Sequence, residues 1–277
     1  MKHSLILVVL LLSCGDPALP WPSSPVHPEL IGEPARLADR GAALQRLAGR
    51  YGHYDVVAYE EVLRGAPMRT FVISYGITEL IREGDTLLQR DRFCHAEHRI
   101  NRAGMRSWME DAAVRAIVPP DQPVRLREEA GRWSLHRPAT PTLIGVRGDP
   151  SQPLPERRRD LDTVDADGDG RPGITVHLEV EPGLRGRVWM ARREIFEAHL
   201  TPLADGRLVG HVEDRSEQRT LGASSPLFAA EADPHQVEDP GLSPLLLVPL
   251  PDEVDGCDAL MARAGELFPE APGFLGD

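Results

Sequence analysis

Alternating aspartates form the sharpest chemical motif in the sequence. Residues 165–170 read Asp-Ala-Asp-Gly-Asp-Gly, with carboxylates at Asp165, Asp167 and Asp169 and glycines where the chain must turn. This is the ligand order at the start of a calcium-binding loop, in which the next ligand is a backbone carbonyl, here that of Arg171. Since hard oxygen ligands suit Ca²⁺ better than zinc, the motif predicts a calcium site.

The motif is shorter than a complete EF-hand. Its twelfth position is Val176, where an EF-hand carries a bidentate glutamate, and no helices are expected on either side. Asp162 or Asp160 could fold back to supply a further oxygen, and Asp162 is included among the candidate ligands. With so few ligands we expect a dissociation constant of about 10⁻⁴ to 10⁻³ M and a structural role for the ion. The alternative is an acidic, solvated turn closed by the arginines at 157–159.

The N-terminal segment has the pattern of a secretory signal. Lys2 is followed by an apolar run at 5–12, which is much shorter than the ~20 residues of a membrane span. The residues that end at Cys14 resemble the lipobox of bacterial lipoproteins. This resemblance implies removal of residues 1–13, a lipid on the Cys14 thiol and, because Gly15 rather than aspartate follows, an outer-membrane location. The alternative is an ordinary signal peptide that is cut nearby.

The cysteine count agrees with export. The chain has 3 cysteines, and two remain if Cys14 carries lipid. An even pair in an oxidising compartment favours a disulfide between Cys94 and Cys257. Such a bridge would close a loop of about 160 residues and contribute about 4–5 kcal/mol in the chain-entropy account.

Composition limits the class of protein and its partners. The chain has 277 residues, of which 41% are hydrophobic, and a net charge of -12. Such an acidic chain has no general attraction for nucleic acid, so we expect none as a partner, and we expect membrane contact through the lipid. No feature points to a particular protein partner. We divide the chain into a signal peptide at 1–13, a lipidated cysteine with a proline-rich extended spacer at 14–34, and one mainly-β domain at 35–277 whose Asp-rich loop spans 160–173.

The hydrophobic periodicity predicts a series of antiparallel strands between two short helices. Apolar and polar residues alternate at 71–78, as expected for a half-buried strand, and Gly131 lies in a hairpin turn. Between residues 119 and 155 we otherwise expect proline-broken loops. The predicted elements are helices at 35–47 and 257–268 and strands at 71–78, 86–100, 124–127, 132–136, 174–180, 187–200 and from 207 onward. Serial hairpins of this kind predict an antiparallel meander that is closed or partly closed into a barrel.

Two resemblances concern the fold. Gly49-Arg50-Tyr51, with a strand after it, is similar to the Gly-x-Trp opening of lipocalins. The whole arrangement resembles a set of predicted lipoproteins of myxobacteria, with a lipobox, a barrel-like strand series containing two cysteines, and an Asp-rich loop before a Thr-Val strand. The first resemblance implies a lipocalin-like barrel, and the second implies no particular activity.

No catalytic constellation is recognisable in the sequence. It contains neither a Gly-x-Ser-x-Gly motif nor a phosphate-binding glycine loop. The sequence therefore predicts a non-enzymatic envelope lipoprotein with a calcium-stabilised β domain in a structural or binding role. One alternative is a lipocalin-like carrier, with a small apolar ligand in a barrel lined by residues such as Phe71, Ile73 and Tyr75. Another is a secreted hydrolase whose acid, base or nucleophile converges only in the fold.

Overall fold

The structure is a computed structural model that describes residues 18–63, 66–180, 183–229 and 233–274. The predicted signal peptide and Cys14 lie outside the described residues. Among the described helices, none is long and apolar enough to cross a membrane.

The described part of the chain is mainly β-sheet with a few short helices. The helices are α1 (Arg40–Leu47), α2 (Asp111–Arg115), α3 (Cys257–Ala262) and α4 (Ala264–Leu267). The strands are β1 (Gly49–Leu63), β2 (Ala66–Glu83), β3 (Thr86–Ile100), β4 (Met105–Met109), β5 (Gln122–Glu129), β6 (Arg132–Ile144), β7 (Val146–Arg147), β8 (Asp162–Thr163), β9 (Ile174–Val180), β10 (Leu184–Pro202), β11 (Leu208–Asp214), β12 (Glu217–Ala223), β13 (His235–Gln236) and β14 (Pro244–Pro249).

Eight of these strands pair in a ring. The order is β1-β2-β3-β5-β6-β10-β11-β14, and β14 pairs with β1 again. All of these pairings are antiparallel. The N-terminal half of β10 extends beyond the ring and pairs with β9 and β12. Strand β9 also pairs with β4 on its other side. The prediction of a mainly-β, antiparallel and at least partly closed barrel is therefore confirmed.

The interior of the ring has an apolar half. Alternate residues of the strands point inward, and helix α1 packs Leu44 and Leu47 among them. Trp133 donates from its indole nitrogen to the carbonyl of Leu37, just before α1, over 3.2 Å. The helix thus covers the apolar half of the barrel from one side.

The opposite face of β1 and β2 is buried as well. Phe71, Ile73 and Tyr75, which we expected to line a barrel cavity, belong to a second apolar cluster. This cluster also contains the C-terminal Phe268 and, at its border, the N-terminal Trp21. Because strand residues alternate between faces, the inward-facing positions of β2 are instead the neighbours of these three residues.

The segment at 18–34 is not the free spacer that we expected. Trp21 lies 4.9 Å from Phe71 between ring centroids, and buried His27 hydrogen-bonds the Tyr54 hydroxyl over 2.7 Å. Apart from one turn of 3₁₀ helix at Pro28–Leu30, the segment has no regular helix or strand, as its prolines predict. The apolar residues between the prolines cover the outer face of β1 and β2. We call this segment and the C-terminal helices the terminal layer.

Several element boundaries differ from the sequence-based ones. Helix α1 begins at Arg40 because Asp39 caps it, accepting from the Ala42 amide over 2.8 Å, while the Ala35 amide bonds the Pro202 carbonyl. The predicted C-terminal helix is split at Arg263 into α3 and α4.

The region from 119 to 155 is less irregular than expected. Strand β6 continues to Ile144 through Pro138 and Pro141. It pairs with β5 only as far as His136, so the later residues have no partner on that side. Proline is tolerated there because no ladder hydrogen bond is lost.

The predicted disulfide is present. Cys94, in an irregular position of β3, lies 5.2 Å from Cys257 between Cα atoms, with the two sulfurs bonded. The bond joins the barrel wall to the first residue of α3. It therefore fixes the terminal layer onto the ring.

Candidate functional site

The second half of the barrel interior is strongly polar. Seven side chains from five neighbouring strands meet there, each with less than 9% of its surface exposed. We call them the interior polar cluster, which consists of His53, Asp55, Thr78, Gln89, Asp91, Arg137 and Glu194. Burying so many charges is favourable only if they pair with one another, so their arrangement is informative.

His53 is held between two carboxylates. Its Nε2 lies 2.8 Å from Oδ2 of Asp55, and its Nδ1 lies 2.9 Å from the hydroxyl of Thr78. The Thr78 hydroxyl in turn donates to Asp91 over 2.5 Å, so it can only accept from His53. His53 thus connects Asp55 to the Thr78–Asp91 pair.

Asp91 is the centre of the other side of the cluster. The Gln89 amide donates to both of its oxygens, at 2.9 and 3.0 Å, and the Arg137 Nε lies 3.5 Å from Oδ2. Among the described residues, the Gln89 Oε1 and the Arg137 Nε find no hydrogen-bond partner, although both are buried. The cluster thus retains one free acceptor and one free donor.

A further ion pair adjoins this cluster. Arg192 bonds Tyr59 and Asp214 through Nη2, at 3.1 and 3.2 Å, and its Nε lies 3.6 Å from Glu194. Burial raises the pKa of Glu194 to about 7, and the nearby charges of Asp214 and Asp55 add to this although Arg192 opposes it. Glu194 is therefore the carboxyl that the buried cations do not fully neutralise.

Little free space remains between these side chains. The cavity that they line has a volume of ≈ 20 Å³, with Phe93 and Phe196 among its walls. A water molecule needs roughly 10–15 Å³ measured in the same way, so the cavity holds about one water. An apolar ligand of any size would require the side chains to rearrange.

The cluster has the residue types of an acid–base catalytic site, but its hydroxyl is not accessible to a substrate. Thr78, His53 and Asp55 form a hydroxyl–imidazole–carboxylate chain. However, Thr78 has no exposed surface and its proton is committed to Asp91. A nucleophile must instead reach the reacting atom of a substrate and give its proton to a base.

The structure brings together three of the predicted calcium ligands. Oxygens of Asp165, Asp167 and Asp169 lie within 4.8 Å of one another. Asp165 accepts from three backbone amides of the loop, at 2.8 to 3.2 Å, and Asp169 accepts from the Thr175 hydroxyl over 2.8 Å. The alternating carboxylates therefore converge as the spacing predicts.

Asp167 is the least satisfied of the three. Its Oδ2 accepts from the Thr175 amide over 2.8 Å, but its Oδ1 is buried without a partner. Burial, with the neighbouring Asp169 charge, raises the pKa of this carboxyl. Within the described residues no arginine forms an ion pair with any of the three aspartates, so the alternative of a turn closed by arginines loses support.

Of the other two predicted ligands, Asp162 lies apart from this group, and the backbone carbonyl of Arg171 stays a prediction. Asp162 pairs with Arg147 in the two-stranded β7–β8 sheet and is not part of the aspartate group. The guanidinium of Arg171 lies 4.8 Å above the Trp189 ring. Gly173, with φ of 90°, lies so close to the Met190 carbonyl that a Cβ atom would be 2.2 Å from it. The loop is thereby docked on β10.

The interior polar cluster was not recognised from the sequence. Its members come from strands that are separated along the chain, from β1 to β10, and meet only through the register of the ring. One signal was available: His53 and Asp55 interrupt the inward-facing positions of β1 between Tyr51 and Val57, which belong to the apolar cluster. Comparison with known proteins gives no further guidance, since no family model, no curated protein and no solved structure matches the chain.

Proposed function

We propose that the chain is a non-enzymatic lipoprotein of the bacterial envelope, anchored through Cys14, whose barrel is a rigid module in a structural or binding role. The observation that carries this proposal is the filled interior. One half of the barrel is apolar and covered by α1, and the other half is a paired charge cluster around ≈ 20 Å³ of free space. Other molecules would then bind to the outer surface of the barrel.

Two further features support the same proposal. The disulfide between Cys94 and Cys257 suits an oxidising compartment outside the cytoplasm. The converging aspartates, with the unpartnered oxygen of Asp167, support a Ca²⁺ ion that stabilises the connection between β8 and β9.

Lipid attachment is tested by metabolic labelling. The full-length chain is expressed in a bacterium that has an outer membrane, with a radioactive fatty acid in the medium. The expected result is a labelled protein in the membrane fraction, and a Cys14→Ser variant that is unlabelled. A labelled Cys14→Ser protein, or an unlabelled wild type, would contradict the anchor.

The filled interior is tested with an environment-sensitive apolar dye. A barrel without an apolar cavity gives no saturable fluorescence increase on titration of the native protein with anilinonaphthalene sulfonate. If the dye instead binds saturably and an alkyl-chain ligand displaces it, the lipocalin-like carrier would be favoured. The side chains of the interior polar cluster would then have to rearrange to make room for the ligand.

A secreted hydrolase is the second candidate, favoured by one observation. Glu194, with a pKa raised to about 7, lines the same cavity as His53 and Asp91, and a carboxyl of that kind suits general acid–base catalysis near neutral pH. Chromogenic esters, phosphates and glycosides assayed between pH 5 and 8 test this candidate. Turnover that disappears in a Glu194→Gln variant would establish it over the binding role.

A further inference from the structure

A group of histidines and glutamates lies on the outer wall of the barrel, away from both sites described above. It is contributed by three adjacent strands, β6, β10 and β11, and we call it the outer histidine cluster. Its members are His136, Glu197, His199, His211 and Glu213.

The strand register places the three imidazoles side by side. His199 is directly opposite His136 on one side and His211 on the other. Opposite residues on paired strands have their side chains on the same face. The rings accordingly stack, with centroids 4.7 and 5.3 Å apart and planes 14° and 21° from parallel.

The two glutamates lie beside the same nitrogens. The Glu197 Oε1 is 2.6 Å from the Nε2 of His136 and 3.7 Å from that of His199. The Glu213 Oε1 is 3.8 Å from the Nε2 of His199 and 3.7 Å from that of His211. His199 is therefore shared by two overlapping three-residue groups.

The group around Glu197 is the better built of the two. The side chains of His136 and Glu197 are only 15% and 19% exposed, whereas that of Glu213 is 51% exposed. Arg215 holds the second oxygen of Glu197, which leaves Oε1 directed at the histidines. Partners of this kind orient the ligands of metal sites.

We propose that the outer histidine cluster binds a divalent transition-metal ion of the zinc type, with His136, Glu197 and His199 as ligands. Two imidazoles and one carboxylate are a common zinc ligand set, and such three-ligand sites leave a position open for water or another molecule. With metal–ligand bonds of about 2.0–2.2 Å, tetrahedral ligand atoms lie about 3.4 Å apart. The Glu197 oxygen lies 2.6 and 3.7 Å from the two imidazole nitrogens, on either side of this value, and all three ligand atoms lie within 4.8 Å of one another. To bind one ion, the two stacked rings must tilt so that their nitrogens point to a common position.

This site gives the outer surface a binding chemistry of its own. It does not depend on lipidation or on calcium, and its ligands differ from the hard oxygens of the aspartate loop. The open position would let the ion bridge to a carboxylate or imidazole of another molecule.

The test is a calorimetric titration of the purified, untagged full-length protein with zinc chloride at pH 7.5. The buffer is freed of metals and then given excess Ca²⁺, so that the aspartate loop is saturated. We expect one zinc ion per chain, and cobalt in its place should give the visible absorption of a four-coordinate site. Removing a residue that only orients a ligand typically weakens metal binding about 10–100-fold. A His199→Gln variant lacks a ligand itself, so its zinc affinity should fall by at least this factor.

Matched variants separate this site from other sources of binding. His235→Gln removes an exposed histidine outside the cluster and should bind zinc like the wild type. Glu213→Gln should weaken binding less than Glu197→Gln. The proposal is overturned if the wild type binds no zinc, if His199→Gln binds it equally well, or if Asp167→Asn abolishes binding.

Discussion

Replacing Glu194 with glutamine tests the charge balance of the barrel interior. The amide has nearly the shape of the protonated carboxyl but cannot ionise. In the wild type, the pKa of Glu194 is raised from 4.5 to about 7 by burial. The carboxyl therefore ionises more easily in the unfolded chain than in the folded one.

The sign and size of the effect follow from this difference. Below pH 4.5 the group is protonated in both states and makes no difference to stability. As the pH rises towards 7 the unfolded chain ionises first, so the folded state is progressively disfavoured. A shift of this size corresponds to about 3 kcal/mol, most of which is lost between pH 5 and pH 8.

The measurement is urea unfolding of the wild type and of Glu194→Gln at both pH values, in the presence of chelator. Relative to the wild type, the variant should gain about 2–3 kcal/mol of unfolding free energy between pH 5 and pH 8. Glu129→Gln, at an exposed position of the β5–β6 hairpin, is the control and should show no such gain. A Glu194→Gln variant whose relative stability is the same at both pH values would refute the charge balance described here.

Three further predictions concern the other stabilising features. Replacing both Cys94 and Cys257 with alanine should lower the unfolding free energy by about 5 kcal/mol, because the bridge closes a loop of more than 160 residues; urea unfolding that is unchanged would contradict this. Ca²⁺ at 10 mM should raise the unfolding free energy by about 1.5–3 kcal/mol in the wild type but not in Asp167→Asn, and equal gains in both proteins would argue against the loop as the site. Trp21→Ala should lower the unfolding free energy by about 2 kcal/mol, because it removes the ring that packs against Phe71. If urea unfolding shows no loss, residues 18–34 do not pack on the barrel.

Local patterns were sufficient to predict much of the fold. Alternation at 71–78 and the turn at Gly131 depend on neighbouring residues only, and the strands found there agree with the prediction. The paired cysteines followed from their number once Cys14 was set aside. The convergence of the aspartates also follows from spacing within a single loop.

Features that depend on which distant segments cover a strand, or on how long apolar runs are buried, were not predicted. Phe71 and its neighbours face the terminal layer because segments from both ends of the chain cover β1 and β2, and periodicity cannot tell which of two buried faces is the inner one. Strand β14 was missed because Leu245, Leu246 and Leu247 are all buried, so no alternation marks it.

The two clusters of ionisable residues were missed for the same physical reason. His53 and Arg137 come from strands that are far apart in the chain, and so do His136 and His211. Their meeting depends on the register of the ring, in which a shift of one residue would move every side chain to the other face. No local pattern contains that register.

Native mass spectrometry of the full-length protein, extracted from membranes in detergent and measured before and after chelation, tests the central claim most directly. The account predicts a chain without residues 1–13 that carries a covalent lipid at Cys14, lacks the two hydrogens of a reduced cysteine pair, loses calcium on chelation, and retains no apolar molecule. A non-covalent apolar ligand that stays bound to the native barrel would contradict the filled interior and the function proposed from it.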